Sequence, residues 1–244
     1  AKSIEWIVNV CYNLYIKLFH KGQKMLKDKY NMTQEQNIFL AKRNIVDSIY
    51  KSSHIEGIDI TFPETQKIFD GGNVSKLRID EIQTINNLKH AWLFVLNSIN
   101  NKNDLNLLKS INSLVGSNLV DNAGNKRNYN VSIGGTDYKP EIPDEKKVEK
   151  YINDTISDSS KTITDRAITI MCYLMRTQFF NDGNKRTSML FANKILIENG
   201  KGIISVPVDK DVEFGNKILE FYETNDNNKL KKFIYDECLD GIKE

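Results

Sequence analysis

This sequence is poor in the residues that most often announce a function. Its 244 residues include three cysteines, three histidines and four prolines. Cys11, Cys172 and Cys238 are odd in number and lack metal-ligand spacing, which argues against a disulfide framework and for a reducing compartment, with all three expected as core thiols. His20, His54 and His90 are scattered, so no histidine metal site is expected. An excess of one charge is missing as well. The 34 basic and 32 acidic residues leave a net +2 spread along the whole chain, so neither nucleic acid nor an anionic membrane is expected as the main partner. No apolar run approaches the roughly 20 residues that span a bilayer, and the N-terminus has no signal-peptide pattern. The expectation is a cytoplasmic protein without a membrane partner. The first residue is Ala1 rather than methionine, so the chain reads as a processed or trimmed product.

Apolar residues recurring at helical spacing are plentiful. Ile4, Ile7, Val8, Cys11, Leu14, Tyr15 and Leu18 form one stripe, and Ile38, Ala41, Ile45 and Ile49 a second. Further stripes run over Ile79 to Ile99, Leu105 to Val115 and Val148 to Ile156. Ala167 to Met175 and Met189 to Ile197 are apolar almost all round, which places them at the centre of a helical bundle. Two helices are predicted in the tail, around Val212 to Tyr222 and Leu230 to Leu239, after breaks at Pro207 and Asp226 to Asn228. One segment departs from the pattern. Between Asn130 and Tyr138, Val131 and Ile133 alternate with polar residues ahead of Gly134 and Gly135, predicting a lone β-hairpin.

The chemistry is concentrated between the two central helices, in Gln178-Phe179-Phe180-Asn181-Asp182-Gly183-Asn184-Lys185-Arg186. A glycine-containing loop running into a helix directs unbonded N–H groups, at the positive end of the helix dipole, toward an anion. Asp182 offers a carboxylate for magnesium shared with phosphate oxygens, Arg186 a planar fork for two of them, and Lys185 a point charge. A capped turn with its charges in water would read the same from this pattern alone.

The loop resembles the Fic signature HxFx(D/E)GNGRxxR at Phe180, Asp182, Gly183, Asn184 and Arg186. Upstream, Ala123, Gly124, Arg127, Val131, Ile133, Gly134, Gly135, Tyr138 and Pro140 are similar to the segment leading into that family's flap. Ser52, Glu56 and Gly57 match the (S/T)xxxE(G/N) inhibitory motif of some members. The resemblance covers roughly residues 40 to 200 and implies an all-α, Fic-like helical bundle with one β-hairpin flap. It divides the chain into an N-terminal helical extension (1–35), the core with inhibitory helix and flap (36–200), and C-terminal helices packed on it (201–244).

In function, the resemblance implies transfer of AMP from Mg-ATP to a hydroxyl of a target protein. ATP and magnesium are then the cofactors and Asp182 the magnesium ligand. Phe180, Gly183, Asn184, Lys185 and Arg186 would bind nucleotide, and Val131, Ile133, Gly134 and Gly135 would dock the target by strand addition. Gln178, Asp182, Lys185 and Arg186 would carry catalysis.

Three departures matter. Gln178 stands where the family has its histidine base, and a carboxamide has no useful basicity near pH 7. The general-base contribution of roughly 10²–10⁴-fold would be missing, leaving weak or atypical turnover. Lys185 replaces the second signature glycine and makes the loop similar to the Doc branch, which transfers phosphate; that branch keeps the histidine. Met189 replaces the final arginine, the family's partner for the inhibitory glutamate, so Glu56 would have to find Arg186 or Lys185, or lie exposed on its helix. The alternatives are an impaired nucleotide- or phosphate-binding regulator, a Doc-like phosphotransferase, and a ligand-free helical interaction protein. His54 is the remaining candidate base, and helices outside the core could serve a homodimer.

Overall fold

The computed structural model describes residues 25–242. The helix expected over Ile4 to Leu18, with Cys11 and His20, lies outside them, as does most of the expected N-terminal extension.

Helix α1 (Gln34–Arg43) starts at a reciprocal cap, in which the Thr33 hydroxyl accepts from the Gln36 N–H and the Gln36 side chain accepts from the Thr33 N–H. The single helix expected across Ile38 to Ile49 is two, because Asn44 interrupts it before α2 (Ile45–Ile55). Helix α3 (Phe62–Phe69) was not expected. Its signal is a second reciprocal cap, Thr61 with Glu64, and a proline in its first turn. There follow α4 (Ile79–Asn97), α5 (Leu105–Val115), α6 (Glu145–Ser157), α7 (Ile163–Thr177), α8 (Asn184–Glu198) and α9 (Asp211–Thr224). The last predicted helix is shorter than its apolar stripe: α10 (Asn228–Phe233) passes into a wider turn over Ile234–Cys238 and then into a strand. That strand, β2 (Leu239–Asp240), pairs antiparallel with β1 (Ile203–Ile204), Ile203 opposite Asp240.

The result is an all-α bundle around α7 and α8. Every residue from Arg186 to Ile197 is buried, and α7 buries all of Ala167 to Met175 except Tyr173. Full burial of such apolar side chains contributes roughly 1.5–3 kcal/mol each. Helices α1, α4, α5 and α7 and strand β1 pack against α8. Buried asparagines join the layers: Asn37 bonds both the N–H and the carbonyl of Gly202, and Asn193 does the same for Ile204. Cys172 and Cys238 are free and buried, and burial pushes both thiols up to about 12.

Residues 130–138 reverse direction at Gly134 and Gly135, where Gly135 takes φ 82, but no strand ladder forms across the reversal. The two-stranded pair of the described residues is β1 with β2. The carbonyls beside the reversal are engaged elsewhere. Arg127, 1% exposed, donates to Tyr129 O at 2.7 Å, to Pro140 O at 3.2 Å and to Glu141 O, and from the same guanidinium to Thr177 O and Gln178 O at the end of α7.

Candidate functional site

The loop between α7 and α8 is closed by two carboxamides. Gln178 ends α7 in a left-handed conformation, φ 48 and ψ 58, and donates through Nε2 to Met175 O at 2.6 Å. Its Oε1 accepts from Asn184 Nδ2 at 3.1 Å. The Asn184 side chain also holds both sides of the Phe180 backbone, accepting from its N–H and donating to its carbonyl, each at 2.9 Å. Gln178 therefore serves here as a neutral brace between the helices.

Gly183 begins α8 at φ 73 with no side-chain cap. The first bond into the helix runs from Thr187 N–H to Gly183 O, so the N–H groups of Asn184, Lys185 and Arg186 have no acceptor within it. A Cβ on Gly183 would lie 2.8 Å from Val115 Cγ1 and 3.3 Å from Asn112 Nδ2. Gly183→Ala is expected to cost about 1–3 kcal/mol, because it combines a left-handed backbone with a packing clash. Urea denaturation followed by circular dichroism measures this; an unchanged midpoint would mean that the loop adjusts freely.

The charges meet beside this helix end. Arg186, 7% exposed, places Nη2 3.1 Å from Glu56 Oε2 and 3.3 Å from Asp182 Oδ2, and Lys185 Nζ lies 4.0 Å from Glu56 Oε1. Glu56 reaches this point because α2 stops there. Gly57, at φ 76, donates to His54 O, and Ile58 donates to Ser53 O, the paired bonds of a glycine-terminated helix. Glu56 Oε1 and Arg186 Nε are buried without a hydrogen-bond partner among the described residues. A buried donor left so costs roughly 1–3 kcal/mol, which favours an incoming acceptor such as a phosphate oxygen.

These groups border a pocket of about 280 Å³. Gln178 and residues 181–185 form its polar wall with Glu56, Ile133 and Gly134 beside them, while Gly215, Ile218, Leu219 and Tyr222 of α9 form the opposite wall. A larger hollow of about 430 Å³ lies between residues 138–148 and the end of α7, but its helix end is already capped by Asp144.

Of the residues singled out in the sequence, the pocket wall brings together Gln178, Asp182, Gly183, Asn184, Lys185, Glu56, Ile133 and Gly134. Arg186 stands behind it. Phe180 lies beneath, 3% exposed and edge-on to Phe179 at 4.9 Å, away from the wall. Val131, Gly135, Ser52 and Gly57 are not part of the lining. Met189 is buried and offers no charge to Glu56. His54 is committed elsewhere, its Nε2 2.9 Å from Ile60 O and its ring edge-on to Tyr50, a structural arrangement. Asn112 and Tyr222 went unread because neither belongs to a motif. Tyr222 donates its hydroxyl to Met175 O at 2.9 Å, and burial raises its pKa.

Asp182 is 61% exposed, and no cluster of three metal-ligating side chains occurs among the described residues. One open carboxylate does not hold a resident ion, but it fits magnesium arriving with phosphates, which keeps most of its other ligands as water and phosphate oxygen.

Residues 102–196 match the family model described as Fic/DOC. This segment is a Fic/DOC-family domain. It contains Asn112, Arg127, the reversal at Gly134 and the whole loop, while Glu56 and α9 come from outside it. Among solved structures, the chain is similar to a fragment of Fic-1 from C. elegans, at a TM-score of 0.71 and 20% identity, covering 82% of this chain and 62% of that one. It is also similar to a Fic family protein from Desulfovibrio desulfuricans, at 0.64 and 18%, covering 82% and 64%. A third is a Fic domain containing signaling protein from Bacteroides thetaiotaomicron, at 0.65 and 15%, covering 83% and 84%. The chain spans less than two thirds of the first two, and at these identities the likeness shows the Fic fold. No curated protein matches the sequence.

Proposed function

We propose that the pocket binds the phosphates of Mg-ATP and supports transfer of AMP to a hydroxyl of a target protein, slowly or atypically because Gln178 occupies the base position. The observation that carries this reading is the uncapped start of α8 inside a Fic/DOC domain, with Lys185 and the partly unsatisfied Arg186 beside it. In the reaction, the acceptor oxygen bonds the α-phosphorus, the bond to the β-phosphate oxygen breaks, pyrophosphate leaves, and the hydroxyl proton passes to solvent. Arg186 and Lys185 offset charge on the phosphates, and the free N–H groups of the first turn bond their oxygens. Magnesium, held through Asp182, would neutralise further phosphate charge. Gln178 Oε1, which already accepts from Asn184 Nδ2, would use its second lone pair to orient the acceptor hydroxyl without taking its proton.

The reversal at 130–138 supports target docking, since it lacks a ladder of its own and borders the pocket through Ile133 and Gly134. Intact mass after incubation with Mg-ATP and lysate proteins tests the reading, for the natural sequence beside Gln178→His and Glu56→Gly. A nucleotide-sized gain on a target supports it. A phosphate-sized gain favours the Doc-like alternative that Lys185 suggests. Gain only with Gln178→His identifies a nucleotide-binding regulator without a base, and no gain in any sample, with no thermal shift by ATP, sinks the nucleotide reading.

A further inference from the structure

We propose that Asn112 is a positioning residue of the phosphate loop, aiming the Gly183 N–H at the bound anion; the inference rests on the phosphate-binding reading above. Asn112 sits in α5, 1% exposed, far in sequence from the loop it holds. Its Nδ2 donates to Asp182 O at 3.0 Å and to Thr187 Oγ1 at 3.0 Å, and its Oδ1 accepts from Gly124 N–H at 2.8 Å. Both donors are spent, and each bond fixes a different part of the site.

The bond to Asp182 O has the greatest consequence. The peptide between Asp182 and Gly183 is planar and trans, so its N–H points opposite to its carbonyl. With that carbonyl drawn toward α5, the Gly183 N–H is turned away from α5, on the side of the pocket that Gly183 lines. The bond to Thr187 holds the first turn of α8 in register with the same peptide. The bond from Gly124 fastens the start of the segment that leads to the reversal, so one carboxamide ties the approach to the target edge to the phosphate loop. Without Asn112 the Asp182–Gly183 peptide is free to rotate, and its carbonyl would then face phosphate oxygens, turning an attraction into a repulsion.

The test uses the full chain, labelled with ¹⁵N and titrated with pyrophosphate. In the natural sequence the Gly183 amide resonance is expected to move with those of Asn184 to Arg186; if those move while Gly183 stays, the proposal is overturned without any variant. Asn112→Ala is expected to weaken pyrophosphate by about tenfold or more and to abolish the Gly183 response. Val115→Ala, which loosens packing against the same glycine without touching a polar group, is expected to stay within about twofold of the natural affinity. Natural affinity with an intact Gly183 response in Asn112→Ala would reduce Asn112 to a fold-supporting residue, and equal losses in the two variants would assign the effect to packing. If even the natural sequence binds no pyrophosphate, the phosphate reading fails and the proposal falls with it, a result distinct from both others.

Discussion

Arg127→Met is expected to lower stability by about 3–5 kcal/mol, a large loss for a single substitution. Arg127 has no carboxylate partner among the described residues. Its charge is held by five backbone carbonyls: Tyr129, Pro140 and Glu141 on the two arms of the reversal, and Thr177 and Gln178 at the negative end of α7. Hydrogen bonds to a charged group contribute about 1.5–3 kcal/mol each, and methionine forfeits them all while recovering part of the cost of burying a cation. Burial lowers the Arg127 pKa, yet guanidinium stays charged at any pH where the protein folds. The melting temperature should fall by about 10 °C, given about 2–4 °C per kcal/mol for a chain of this size. Arg127→Lys should not rescue, since one ammonium cannot reach both arms and the helix end together. A loss below about 1 kcal/mol would show that the reversal finds other donors.

Glu56→Gln is expected to tighten Mg-ATP binding by about tenfold, corresponding to about 1.4 kcal/mol. The substitution keeps the shape of the side chain and removes one negative charge from the edge of the proposed anion site. It also releases Arg186 Nη2, held at 3.1 Å, and relaxes the hold on Lys185. Two charges about 4 Å apart interact by about 4 kcal/mol at an effective dielectric constant near 20, so tenfold is a conservative share of that interaction. The gain should shrink as salt rises, because Lys185, 39% exposed, is reachable by ions. Calorimetric titration at two ionic strengths measures both effects. Unchanged affinity in Glu56→Gln would make Glu56 no more than the last carboxylate of α2. Here the inhibitory-type motif meets Arg186, one of the two partners left by Met189.

Much of this fold was legible because burial leaves a simple trace. Helices α7 and α8 are apolar all round, and the stripes of α4, α5 and α6 have helical period, so the bundle followed from spacing. The loop was legible because its chemistry is local: a glycine, an acid and two cations within a few residues at a helix start. What stayed hidden depends on pairs distant in sequence. Asn112 reads as a polar interruption of the α5 stripe, and nothing local reveals that its carboxamide meets Asp182 and Gly124. Alternation around Val131 and Ile133 predicted strands, but no ladder forms there, and Arg127 fastens the chain through the carbonyls of Tyr129, Pro140 and Glu141 on either side of the segment. The wall supplied by α9 was unread for the same reason, since Gly215, Ile218 and Leu219 look like one more amphipathic face until the fold brings them opposite residues 181–185.

The stretch that matches the family and the stretch that packs around its central helix are different lengths of chain. Residues 102–196 contain the loop, most of α8 and the helices α5 and α7 beside it, but part of the cover over α8 comes from beyond them: α1, α4 and β1. A fragment cut to those bounds would carry the whole signature and yet leave its central helix open to water along those faces. It would also lack the glutamate that meets Arg186 and the far side of the pocket. Borrowing the signature into another protein would therefore transfer the sequence of the loop between α7 and α8 without the surroundings that give it a shape.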